Sequence, residues 1–349
     1  MTLLKLFKKL TAKFSIQEYN LNRILYILGG LAIVSGIFFV FWWNKEIVIS
    51  KNNEGQPKEG VVSSIAGIAC EGAGNRPIAV MLAGDREARP LSGISQADMV
   101  FEMPVAPNGI TRMMAVYQCA EPKEIGSVRS SRDDFIPLAA GLKAIYAHWG
   151  GEHDALQKLN NKIIDNIDAL KYEGKIFYRK RGVPAPHNGF TTLELLRKGS
   201  RDLGYNLENE FEGYPRTDKT DQRSLTNLAS SVNVGYNEPF DVVWTYDSAS
   251  GTYKRARNGR PELDKNNQEQ VSVPVVVIME TTSSFIREQY IRVNVQGEGP
   301  ARIYQGGVVT NGRWKKDPSK IDSKIYFYDT QGKEIKFLPG KMWVEIVAR

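Results

Sequence analysis

Arg129, Ser130, Ser131 and Arg132 run directly into Asp133 and Asp134, and other polar groups stand at the ends of apolar runs around them. Arg112 lies in an apolar segment that follows Glu102, His148 precedes a glycine pair, and His187-Asn188 follows the basic triplet Arg179-Lys180-Arg181. Arginine offers a planar fork of donors that fits a carboxylate or phosphate, and histidine moves a proton near neutral pH. Arg112, Arg129, Arg132, His148, His187 and Asn188 are therefore the candidate ligand-binding residues for an anionic group. The same set has a catalytic use, with His148 or His187 as general acid or base and the arginines stabilising charge in an extracytoplasmic hydrolase or transferase. Because no nucleophile paired with a base can be read from the chain, binding is the leading reading. Both compete with a structural one, in which the arginines pair with local carboxylates, Glu102 with Arg112, and His148 is satisfied in the interior.

The elements that position these groups follow from periodicity. Phe135, Leu138, Ala139 and Leu142 recur at the spacing of one buried helix face, and Pro137 restricts the start to Asp133 or Asp134. Residues 144–148 read as a short buried strand that ends on His148, and strand ends are where open α/β sheets bind ligands. Residues 78–83 read as a buried strand, and 98–105 and 110–119 as a hairpin about Ala106-Pro107-Asn108-Gly109. Helical runs follow at 152–161 and 191–203, the second with Thr191 or Thr192 as cap. Beyond residue 225 the pattern turns to strands, punctuated at Ser250-Gly251, Asn258-Gly259, Gly306-Gly307 and Gln331-Gly332.

Other chemistries lack their residues. His148, His153, His187 and two separated cysteines do not form a metal-ligand cluster, so no metal is expected. Gly93-Ile94-Ser95-Gln96-Ala97 is one residue short of a nucleophile elbow and precedes a strand rather than following one, which leaves Ser95 as a turn cap. Gly297-Glu298-Gly299 lacks the rest of a dinucleotide fingerprint, and no cofactor is expected. An exposed Trp314 would be able to stack on a sugar ring, although a lone tryptophan usually packs on a sheet.

The net charge of +7 would suit nucleic acid, but the five basic residues Lys5, Lys8, Lys9, Lys13 and Arg23 against Glu18 place +4 of it in residues 1–23. The remainder carries only +3, so no nucleic-acid partner is expected. Residues 24–43, ILYILGGLAIVSGIFFVFWW, pass without a charge for the length of one membrane-spanning helix. The basic leading flank puts the amino terminus in the cytoplasm and the rest outside the cell membrane. Residues 44–71 read as a flexible stalk. Cys70 and Cys119 then face an oxidising compartment and are expected to be joined.

The runs RPIAVML, ARPLSGISQADMVFEMPV, GITRMMAVYQ, IGSVRSSRDDF, HWGG and FYRKRGVPAPHNGFTT resemble the bacterial YerB-like family, a domain of unknown function named after a lipoprotein. Tyr246-Asp247, Gly306-Gly307, Gly312-Arg313-Trp314-Lys315 and Pro339-Gly340-Lys341-Met342-Trp343 resemble its second domain, so the likeness covers residues 76–347. It implies an extracytoplasmic, membrane-tethered protein of the cell envelope with two successive domains. The chain departs from the family in using an apolar span as anchor, and in Glu262, where the pattern leads to a histidine. The expected fold class is α+β: a single amino-terminal transmembrane helix, a mixed α/β domain at 72–214, a linker at 215–224, and a β-rich sandwich or barrel at 225–349. On this topology, proteinase added to intact spheroplasts digests the chain beyond residue 44; protection of that part would place it in the cytoplasm.

Overall fold

β1 (Ile78–Ala83) has no polar side chain and is buried along its whole length, as a strand covered on both faces must be. β2 (Met99–Pro104) and β3 (Thr111–Tyr117) pair antiparallel, with Met103 opposite Arg112. β4 (Ile125–Gly126) precedes a 3-10 turn at Asp133–Phe135 that runs into helix α1 (Ile136–Gly141), where Pro137 falls in the first turn and leaves no hydrogen bond unmade. β5 (Ile145–His148), α2 (His153–Asn160), β6 (Asn166–Asp168) and α3 (Ala169–Tyr172) follow. β7 (Tyr178–Arg179) and β8 (Gly189–Thr191) lead to α4 (Leu193–Asp202), capped by the Thr192 hydroxyl, which accepts from the Leu195 amide at 3.1 Å. These residues belong to a computed structural model that describes residues 61–217, 228–287 and 289–349. The tail and span expected at 1–43, most of the stalk and most of the linker lie outside the described residues. Among the described residues no helix is long and apolar enough to cross a membrane.

The second half is built of strands. β9 (Ser231–Asn233), β10 (Val242–Asp247), β11 (Thr252–Arg257) and β12 (Arg260–Pro261) make a small sheet, with β13 (Ser272–Val273) paired to β11. β14 (Val275–Thr281) is followed by the hairpin of β15 (Ser283–Arg287) and β16 (Tyr290–Val293). β17 (Gly297–Gln305), β18 (Val308–Lys316), β19 (Tyr326–Asp329) and β20 (Met342–Ala348) complete the chain.

Ten of these strands form one sheet in the order β19-β18-β17-β14-β20-β2-β3-β1-β5-β6. β20 lies between β14 and β2, parallel to both. The fold is thus mixed α/β with β-rich sheets, and residues 60–349 are one compact unit. The separate sandwich or barrel expected for 225–349 does not close on itself, because β20 is buried on both faces and takes a partner from each half. Side chains alternate between the two faces. On one, Val80, Val100 and Trp343 pack with Trp244 and Tyr253 of the small sheet and Leu196 of α4. On the other, Met81, Phe101 and Val344 pack with Phe135, Leu138 and Phe327.

The amino-terminal side is tied down earlier than a stalk ending at 71 allows. Ile65 and Ala66 are fully buried, Ser63 donates to Gln118 Oε1 at 2.6 Å, and Cys70 and Cys119 are joined with their Cα atoms 5.6 Å apart. Trp314, far from exposed, is fully buried and donates to the Glu280 carbonyl at 2.8 Å. Ser95 is likewise interior, its amide and hydroxyl bonded to Asp264 at 2.8 and 3.0 Å.

One group of charges lies wholly inside. Glu102 and Glu345 stand opposite each other on the parallel pair β2 and β20. Arg255 and Arg257, two apart on β11 and so on one face, reach down to them. Arg255 Nη2 is 2.5 Å from Glu102 and 3.2 Å from Glu345, Arg257 contacts Glu102, and both arginines contact Glu262. Glu102 and Arg112 lie on opposite faces of the hairpin, so the pairing considered between them does not form. Burial pushes Glu345 up to about 7 against the pull of Arg255, with Glu102 adding to the rise. Burial would raise Glu262 too, but Arg255 and Arg257 outweigh it and hold that carboxyl down to about 2.

A carboxyl raised on folding contributes stability that is complete below its unfolded pKa and is lost as pH rises through the folded one. From pH about 4.5 to about 7 the protein is therefore expected to lose stability relative to its Glu345→Gln variant. Urea unfolding of both proteins across that range isolates this group from the others that titrate; parallel curves would show that Glu345 is ionised throughout.

Candidate functional site

β1, β2 and β5 are parallel and end on one side of the sheet, where three loops meet. The loop after β1 supplies Asp85. Its neighbour Gly84 lies so close to β3 that an added Cβ would come within 2.3 Å of the Thr111 carbonyl oxygen, which fixes the loop against that strand. The segment from 127 to 132 crosses the strand ends, its Arg129 amide donating to the Met81 carbonyl at 2.9 Å. Arg129 and Arg132 consequently point toward the end of β3, where Arg112 begins.

The result is a cavity of about 440 Å3 walled by Asp85, Arg112, Arg129, Arg132 and Tyr290, among others. Arg112 donates to Asp85 at 2.8 Å, and Arg129 Nε lies 3.7 Å from the same carboxylate oxygen. Arg132 donates to the Ser131 carbonyl and stacks on the Tyr290 ring, 5.0 Å from its centroid. Three guanidinium groups thus wall a cavity with one carboxylate, which Arg112 and Arg129 share and Arg132 does not touch. Burial pushes Arg112 down to about 10; Asp85 opposes this, and Arg129 and Arg132 reinforce it. Among the described residues, Nε of all three arginines is buried without a hydrogen-bond partner. A buried donor left unmade costs about 1–3 kcal/mol, so this place is short of acceptors.

The structure brings Arg112, Arg129 and Arg132 into the wall of one cavity and places His187, Asn188 and His148 outside it. His187 stands beside the cavity rather than in its wall: Arg129 donates to the Pro186 carbonyl at 3.3 Å, and partial burial, then Arg129, lowers the imidazole pKa. Its Nδ1 is buried and unpartnered among the described residues. Asn188 faces elsewhere and accepts from Arg179 at 2.9 Å. His148 is fully buried, its Nδ1 2.8 Å from the Gly150 carbonyl and its Nε2 3.2 Å from Asn166 Oδ1. Burial holds its pKa below the ordinary value, and the ring, donating from Nδ1 to the Gly150 carbonyl, braces the turn after β5. A strand-end position alone does not say whether a side chain opens to the site or closes under a loop. Asp85 and Tyr290 were missed, the first in a short turn and the second 158 residues after Arg132 in the β15–β16 hairpin. That hairpin is held in place by the Val293 amide, which donates to Asp134 at 2.7 Å.

Two family models match, the N-terminal domain of the protein of unknown function DUF3048 at residues 65–206 and the C-terminal domain of the same family at 231–344. The chain is 30% identical over 276 residues to the Bacillus subtilis (strain 168) protein named "Putative lipoprotein YerB", covering 78% of this chain and 81% of that one. It belongs to the DUF3048 family. The crystal structure of the YerB protein from Bacillus subtilis superimposes with a TM-score of 0.74 at 28% identity, covering 82% of this chain and 97% of that chain. The boundary between the two DUF3048 models falls at 207–230, yet strands from both sides of it share the ten-stranded sheet.

Removing Asp85 leaves a buried arginine without its counter-charge, and Asp85→Ala is expected to cost about 3 kcal/mol. The double variant Asp85→Ala/Arg112→Met is expected to recover most of that loss, measured as denaturation midpoints. Additive losses would show that the two charges are not coupled.

Proposed function

We propose that this DUF3048 protein is a membrane-tethered, extracytoplasmic binding protein of the cell envelope that holds an anionic group in the cavity of Arg112, Arg129 and Arg132. The observation that carries the reading is the imbalance of three guanidinium groups against Asp85, with buried donors unused, in a concave site at the ends of parallel strands. A phosphate or carboxylate supplies what is missing, negative charge and acceptor lone pairs together. Attachment to the membrane rests on the uncharged run at 24–43 and on the lipoprotein name of the Bacillus subtilis relative.

A catalytic reading has one observation in its favour. The pKa of His187 is lowered by partial burial and then by Arg129, and among the described residues the ring keeps an unpartnered nitrogen. A base without a nucleophile or a bound substrate hydroxyl is insufficient, and among the described residues no such partner is bonded to it, which leaves binding the stronger conclusion.

Calorimetry of the full chain with inorganic phosphate tests the proposal. Arg132→Ala is expected to weaken binding about tenfold or more, and Arg132→Lys nearly as much, because an ammonium does not reproduce the two-pronged contact. Arg132 is paired with no carboxylate in the described residues, so neither change should unfold the protein. Phosphate affinity indifferent to both substitutions, or no phosphate binding at all, would overturn the reading.

A further inference from the structure

The turn that carries Asp85 has a second cavity on its other side. It measures about 430 Å3 and is walled by Arg86, Arg89, Arg257, Arg260 and Glu262, among others. Glu262 and Arg257, 6% and 3% exposed, are already committed to each other, Glu262 also to Arg255 and Arg257 also to Glu102. Among the described residues no carboxylate forms an ion pair with Arg86, Arg89 or Arg260, so the wall carries four guanidinium groups against one carboxylate. Arg89 is pushed down to about 10, first by burial and then by Arg257, and its Nε is buried without a partner. Arg86 and Arg260 are exposed and free to swing.

The two cavities share their partition. Arg89 donates to the Gly84 carbonyl, next to Asp85 of the first cavity. Arg257 Nη1 lies 3.4 Å from Thr111 Oγ1, next to Arg112 of the first cavity. Adjacent residues thus wall the two cationic hollows, one on each side of a single short turn.

From this juxtaposition, and resting on the anion-binding reading above, we infer that the ligand is a chain bearing two or more phosphate groups that crosses the turn at Asp85 and places one group in each cavity. A lone phosphate satisfies one hollow and leaves the other as short of acceptors as before. Once the first group is held, the second binds within the same molecule at a high effective concentration, so two modest contacts combine into a strong one. Arginine suits both ends, since its fork meets phosphate oxygens in pairs. The exposed Arg86 and Arg260 serve as the adjustable side of the second hollow, and the half-buried Arg89 and buried Arg257 as its fixed floor.

The test compares inorganic phosphate with tripolyphosphate on the full chain, by calorimetry, in the wild type and in Arg86→Ala/Arg260→Ala. Both substituted residues are exposed and make no ion pair in the described residues, so the fold is expected to be unaffected. The wild type is expected to bind tripolyphosphate at least about tenfold more tightly than phosphate. The double variant should bring tripolyphosphate down to the level of phosphate while leaving phosphate itself unchanged, because the first cavity is intact. Equal wild-type affinity for the two probes, or tripolyphosphate affinity unmoved by the double substitution, overturns the bridging inference and leaves the first cavity standing. Failure of both probes to bind the wild type overturns the anion-binding reading as well.

Discussion

Two fully buried glutamates face each other across a parallel strand pair, and the fold is arranged to make that tolerable. Glu102 on β2 and Glu345 on β20 would repel each other if both were ionised and unaccompanied. Arg255 and Arg257 descend from the small sheet to compensate them, and Trp244 donates to Glu345 at 2.8 Å. Such clusters add little net stability over well-packed apolar groups, but losing one member is severe, since the remaining charges stay buried. Their effect here is on alignment. A shift of β11 by one residue would turn both arginines away from the large sheet and leave the carboxylates uncompensated, so the relative placement of the two sheets is fixed electrostatically.

The same alignment sets the candidate site. Arg257 lies between the buried cluster and the floor of the second cavity, and it contacts Thr111, beside Arg112 of the first. The loop after β1 is held from below by Gly84 resting on Thr111. Arg112 and Arg257 are placed by strands, and Arg129 by a backbone bond to β1. On the function proposed above, this lowers the entropy cost of holding an anion.

Much of the first half was legible because its strands are short apolar runs with clear punctuation: β1, the β2–β3 hairpin and β5 all fall where the pattern puts them. β11, β17 and β18 were not. In TYKRAR the residues that turn inward are Tyr253, Arg255 and Arg257, so polarity alone reads the face backwards. β17 opens with Gly297, Gly299 and Pro300, residues that ordinarily argue against a strand. The place of β20 between β14 and β2 depends on pairing with residues more than 200 positions earlier. The site shows the same division. Residue type identified the arginines, whereas whether His148 opens to solvent was decided by Gly150 and Asn166 folding over it.

The link between Cys70 and Cys119 governs how mechanical load enters the fold. A pull on the chain from its amino-terminal side first meets the noncovalent ties of residues 63–66, among them Ser63 to Gln118. Beyond these it reaches a covalent crosslink to the residue two past the end of β3. Force arriving there is carried into an interior strand flanked by β1 and β2, where ladder bonds on both sides resist together. The segment ahead of Cys70 can peel away without the sheet unzipping, so the crosslink acts as a strain relief between whatever holds the amino-terminal side and the cavities at the strand ends.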